Sequence, residues 1–201
     1  MALLAEELVE EWLNRQGYFT IRGVKLGVDE VDLLALKFSK NGEPIFRHIE
    51  VQASMRPISY ISRVPKAAQK LGRKANSAKR SEEELLIGVA EWVDKKFLKT
   101  KKTDLFKILV PVKWTSELVL NNVKSEQEVE LIKSQGIKVF RLNEVIDDLE
   151  NKKFIIKSAS GSDFVDLIRM GKKMHNKFAK HASFVTLTAR DAFTTRPLQR
   201  R

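Results

Sequence analysis

Two short runs carry polar groups at alternating positions: Glu30-Val31-Asp32-Leu33 and His48-Ile49-Glu50-Val51-Gln52. In an extended chain alternate side chains share a face, so Glu30 and Asp32 form one set and His48, Glu50 and Gln52 another. Val31, Leu33, Ile49 and Val51 are left to enter a core. Strands this apolar are half buried, and carboxylates there are costly unless paired, protonated or bound to a cation. If the two runs are neighbouring strands, Asp32 and Glu50 point at one spot. Such a pair suits Mg²⁺, with Mn²⁺ as a substitute, and a divalent ion among carboxylates, water and phosphate oxygens suits phosphodiester chemistry. The competing reading makes Asp32 and Glu50 ordinary residues on the solvent face of a half-exposed sheet. Glu30 reads as a surface residue and His48 as a structural one.

The surrounding elements must bring these runs together. Residues 2–16 carry Leu4, Leu8 and Trp12 on one helical stripe, widened by Ala5, Val9 and Leu13, and Gly17 closes the helix. Strands are expected at 18–24, 29–38 and 45–53, with the last two joined through the Asn41-Gly42 turn, giving an antiparallel meander. A loop covers 54–62. A helix is expected from Arg63, with Ser62 as its cap and Pro65 in its first turn. It presents Lys66, Lys70, Arg73 and Lys74 largely on one face. Ser81 and Glu84 spell a capping box for a helix to about Phe97. Residues 99–102 read as a charged loop, and 105–112 as a buried strand ending at Pro111. A helix capped by Ser125, a strand at 137–141 and a helix capped by Asn143 complete the core. Further on, Phe154–Ile156 reads as a strand and Asp163–Met174 as a helix. The fold class is α/β, a mixed central sheet flanked by helices. A core over 1–150 and a basic extension over 151–201 are expected.

Charge is concentrated. The chain of 201 residues has a net charge of +11. Residues 53–80 hold eight basic side chains and no acidic one, and residues 170–201 hold eight basic and one acidic. Two such blocks on a balanced chain fit a polyanion, and nucleic acid above all. With no cysteine and only three histidines, thiolate chemistry and a histidine-rich metal site are excluded. There is no phosphate-binding GxxxxGK[ST] loop, no apolar run long enough for a membrane, and no secretory leader at the start, so a cytoplasmic protein is expected.

In order, the motifs are a glutamate-bearing helix, Gly17-Tyr18, Glu30-Val31-Asp32, a turn, Glu50-Val51-Gln52 and a helix. This order resembles the nuclease core of the PD-(D/E)xK superfamily, which includes Holliday-junction resolvases and Mrr-like restriction endonucleases. The resemblance covers roughly residues 3–75 in motif and runs to about 150 in element order. It implies a restriction-endonuclease-like αβββαβ core, bound Mg²⁺ and hydrolytic cleavage of DNA. On that reading Asp32 is the central metal-binding aspartate and Glu50 opens the E-x-K element. Glu6 is the helical acid, with Glu7 next, and the Val51 carbonyl adds a ligand. The departure is Gln52, which stands where the family has lysine and carries no charge to offset that of the phosphate. Arg56, Lys66 and Lys70 are candidates for a compensating cation.

The resemblance thus implies an endonuclease with Asp32, Glu50, Gln52 and Glu6 at its centre. Arg56, Tyr60, Lys66, Lys70, Arg73 and Lys74 are its DNA contacts. A nuclease needs two cuts to break a duplex, so a homodimer is expected, with the apolar stretch 184–187 as one source of interface. The alternatives are a nuclease-fold DNA-binding protein that has lost catalysis at Gln52, and a basic α/β RNA-binding protein. Asp32→Ala and Glu50→Ala are expected to stop cleavage while leaving folding largely intact.

Overall fold

The computed structural model describes residues 2–54, 56–154, 156, 161, 163 and 165–174. Residues 1–158 form one compact unit and a second begins at 159, where the described residues 161, 163 and 165–174 are helical. The apolar stretch 184–187 lies outside the described residues, as does residue 155 of the strand expected at 154–156; Phe154 and Ile156 are not in a strand.

Helix α1 spans Ala2–Arg15 and buries Ala5, Leu8, Val9, Trp12 and Leu13 of the stripe that its spacing predicts, while Leu4 in the first turn is exposed. Gly17 ends it at φ +86°, in the left-handed region where a side chain is strained, and the Tyr18 N–H returns to the Leu13 carbonyl. Three antiparallel strands follow: β1 (Phe19–Leu26), β2 (Asp29–Phe38) and β3 (Pro44–Gln52). Next come α2 (Lys66–Lys70), α3 (Glu82–Val93), a π-helical turn (Asp94–Leu98) and α4 (Thr100–Leu109). The chain then runs through β4 (Thr115–Leu120), α5 (Glu126–Ser134), β5 (Lys138–Arg141) and α6 (Leu142–Asn151). The sheet order is β1-β2-β3-β4-β5, with β3, β4 and β5 parallel. The chain is therefore mixed α/β, a five-stranded mixed sheet flanked by helices, as the sequence predicts.

The two faces of β3 meet different layers. Arg47 lies over the rings of Trp12 of α1 and Phe140 of β5, while His48 lies against Phe97 and Phe106. On the second face Leu118 and Leu120 join Leu85, Val89, Val93, Phe97, Val129 and Ile132 in a dry cluster. That cluster fixes α3, the π turn and α5 on the sheet by removing apolar surface from water.

Four expectations are corrected. The helix expected from Arg63 is only the five residues Lys66–Lys70, with Pro65 in its cap position. Ser62 gives its hydroxyl to Glu128 instead, and Gly72 at φ +93° turns the chain away, so no continuous basic helix face exists. Residues 100–109 are helix where a charged loop and a strand were expected. Leu105, Phe106 and Leu109 share one side, Ile108 is 82% exposed, and Val110 before Pro111 is forced extended, which ends the helix. The strand after that point is Thr115–Leu120, unread because it opens on polar residues. Finally α6 begins one residue before the expected cap, because the Glu144 carboxylate accepts the Arg141 N–H. The Ser81–Glu84 capping box and the Ser125 cap form as predicted.

Candidate active site

β2 and β3 pair up to Leu33 and Ile49 and then part. Beyond that point β2 stays with β1, as Val31 faces Val24 and Glu30 faces Lys25, while β3 stays with β4, as Glu50 faces Leu118. The gap is bridged by one side chain: Asp32 Oδ2 accepts the Val51 N–H at 2.8 Å. Asp32 and Glu50 stand on the two lips of this fork, as the alternation of the two runs requires.

Glu50 is 1% exposed. Its Oε2 accepts from Lys96 Nζ at 2.7 Å, and its Oε1 accepts from His48 Nε2 at 2.9 Å and from Lys102 Nζ. Burial alone would raise the carboxyl pKa, but the His48 hydrogen bond and the charges of Lys96 and Lys102 together hold it at about 2. An ionised Glu50 accepts, so His48 donates from Nε2, and among the described residues its other ring nitrogen, between Phe97 and Phe106, is without a partner. Burial lowers the His48 pKa, so His48 holds Glu50 as a neutral donor.

Asp32 behaves oppositely. Its burial, followed by the nearby charge of Glu50, raises its pKa to about 6 against the opposing Val51 N–H. Glu6 is 8% exposed, and its pKa is raised by burial and then by Glu30 and Glu50. Glu7 is instead on the open side of α1 near Arg22, so Glu6 is the helical acid that reaches the site. Glu30 is exposed yet acts on both Glu6 and Lys96. Lys96 stays firmly protonated: burial works against it, and Glu50, Asp32 and Glu30 outweigh burial. Lys96 is thus bonded to Glu50 and feels the charges of Asp32 and Glu30, while its own charge acts on Glu6. Gln52 is half-buried, two residue pairs beyond Glu50 and opposite Leu120. Val51 meets Asp32 through its N–H. Among the described residues, no group of three or more histidine, aspartate or glutamate side chains is drawn close enough to hold a metal ion.

The expected DNA contacts separate. Arg56, Lys66, Lys70 and Lys74 are exposed. Arg73 is committed to a two-pronged bond with Glu84 and to the Lys79 carbonyl. Tyr60 packs on the core with the Arg80 guanidinium 4.2 Å over its ring. Glu128, fully buried, accepts from the Ile61 and Ser62 N–H groups and the Ser62 hydroxyl, which fixes the loop after β3.

Lys96 and Lys102, the two lysines bonded to Glu50, are the residues of the candidate site that the sequence reading missed. Lys102 sits on the Phe106 side of α4, four residues away, so a helical reading of 102–109 would have put its charge toward the core. Lys96 had no such signal. It enters because α3 widens into a π turn at Asp94–Leu98, which directs Lys96 to Glu50 and Phe97 to His48 from consecutive positions. π turns of this kind recur at functional sites.

A crystal structure of a protein of unknown function, AF1548, is similar at 16% identity and a TM-score of 0.41, over 70% of this chain and 58% of that one. This chain thus spans little more than half of that protein's length. No family model matches the sequence. No curated protein matches it.

Proposed function

We propose that this chain is a metal-dependent endodeoxyribonuclease that hydrolyses DNA phosphodiester bonds, as its resemblance to the PD-(D/E)xK core implies. The observation that carries the reading is the ion pair of Lys96 with Glu50 at 2.7 Å. It supplies, from the π turn, the cation that Gln52 lacks. Arg56, Lys66 and Lys70, the candidates from the following segment, are not among the partners of Glu50.

The donors fit a divalent cation. They are carboxylate oxygens, the donors that hard divalent ions take, and the Asp32 pKa is raised first by burial and then by the charge of Glu50. Asp32, Glu50 and Glu6 would hold Mg²⁺, which when bound neutralises phosphate charge and lowers the pKa of a coordinated water. The remaining work falls to the chain. Lys96 donates to the phosphate oxygens as charge builds there. Asp32 is mostly ionised above pH 6 and accepts a proton or orients a water. His48 and Lys102 keep Glu50 in place from behind.

A second reading, a DNA-binding protein without catalysis, draws on the same geometry. Both Glu50 oxygens are already satisfied, and the acids are not drawn into a ready metal cluster.

The test uses supercoiled plasmid and a four-way DNA junction with Mg²⁺, Mn²⁺ or EDTA. Wild type is expected to cut only with metal. Lys96→Met is expected to cut about 10²- to 10³-fold more slowly, the usual loss when one transition-state donor is removed. DNA bound at low salt but uncut with either metal selects the second reading. Two nicks are needed to break a duplex, so a homodimer belongs to the proposal.

A further inference from the structure

A groove of about 380 Å³ opens beside the fork, between the segment running from Ile61 into α2 and the outer side of α3. Its walls carry Arg63, Lys66, Lys95 and Lys96, with Trp92 at its side. Arg63, Lys66 and Lys95 are exposed, and among the described residues their side chains enter no ion pair. Glu91 is the acid in the groove, and its carboxylate is occupied by the backbone N–H of Lys66, which it holds at 3.1 Å. The groove exists because α3 has glycine at position 88. A methyl there would stand 2.5 Å from the Arg63 carbonyl oxygen and push the loop off the helix.

Like charges pressed together without counter-ions destabilise the fold unless an anion collects there. Arg63 and Lys66 line the groove from the segment after β3 and Lys95 and Lys96 from the π turn, a lining of several cations that suits a run of phosphates. We infer that this groove binds one strand of the DNA sugar-phosphate backbone, with Arg63, Lys66 and Lys95 as phosphate contacts beside Lys96. The inference rests on the nuclease reading for the role of Lys96, though not for the groove's charge. It differs from the sequence expectation by keeping only Lys66 of the six expected contacts and adding Arg63 and Lys95.

The experiment is duplex DNA binding by the full chain in EDTA, titrated with salt. Each phosphate that the protein no longer neutralises flattens the slope of log affinity against log salt by about 0.9. The Arg63→Gln/Lys66→Gln/Lys95→Gln variant is expected to lose that amount for each cation and to weaken on all sequences alike. Lys70→Gln/Lys74→Gln/Lys79→Gln removes the same charge from outside the groove and is expected to change the slope far less. Equal flattening in the two variants, or none in the first, overturns the groove. Tighter binding of an RNA duplex, abolished in the first variant, overturns its assignment to DNA. Cleavage by wild type with an unaltered slope in the groove variant leaves the nuclease reading standing while the groove falls. The reverse result, an altered slope without any cleavage, separates the two the other way.

Discussion

Glu50→Ala is expected to destabilise the protein by roughly 3–5 kcal/mol, the usual effect of removing one partner from a buried ion pair. Lys102 is 2% exposed, and its ammonium lies on Glu50. Without that carboxylate the ammonium is a buried charge with no anion beside it, and His48 loses its acceptor as well. The structure thus predicts a folding cost where the sequence reading expects folding to stay largely intact. Urea unfolding of wild type, Glu50→Ala and Glu50→Ala/Lys102→Met measures the effect. The double variant, apolar at both positions, should recover much of the loss, whereas equal losses in the single and double variants would place the effect elsewhere. The pH dependence has a definite sign. Glu50 titrates near pH 2 in the folded protein against 4.5 as the ordinary value, so its contribution is complete above about pH 4.5 and is lost as pH falls toward 2.

Asp32→Asn should do the reverse. Folding moves the Asp32 pKa from 3.8 to about 6, so the ionised folded state carries a penalty of about 3 kcal/mol at 1.36 kcal/mol per pKa unit. For a carboxyl raised in this way, the favourable difference is complete below pH 3.8 and disappears as pH rises through about 6. Asparagine keeps an acceptor for the Val51 N–H and cannot ionise. The variant should melt with wild type near pH 4 and above it by pH 8 in EDTA, by up to that amount. It should also lose metal-dependent cleavage altogether. A variant that gains stability as it loses activity is what a site built on repelling carboxylates produces. Equal stability at pH 8 would mean that Asp32 is not under the strain described.

The meander and its acids were legible because their signals are local. Alternation, the Asn41-Gly42 turn and Gly17 set β2 at the residues expected, and a strand period of two then puts Asp32 and Glu50 on facing lips. The cationic half of the site was not legible. Lys96 depends on a widened helical turn, and Lys102 on the direction of a helix that a run of lysines disguised as solvated surface. The partners of Arg73 and Tyr60 were hidden for a related reason: Glu84 and Arg80 are 11 and 20 residues away, and only the fold brings them together.

The side-chain bridge across the fork has a further consequence. The Val51 amide is hydrogen-bonded to a titrating carboxylate rather than to a strand carbonyl. Protonation of Asp32 weakens that acceptor, so the proton resonance of this one amide should move through a single step near pH 6, while the Ile49 amide, inside the ladder, stays still. A nitrogen-labelled sample thus carries its own reporter of the charge at the fork, readable without substrate, and a divalent ion that settles there should announce itself by dragging the step to lower pH.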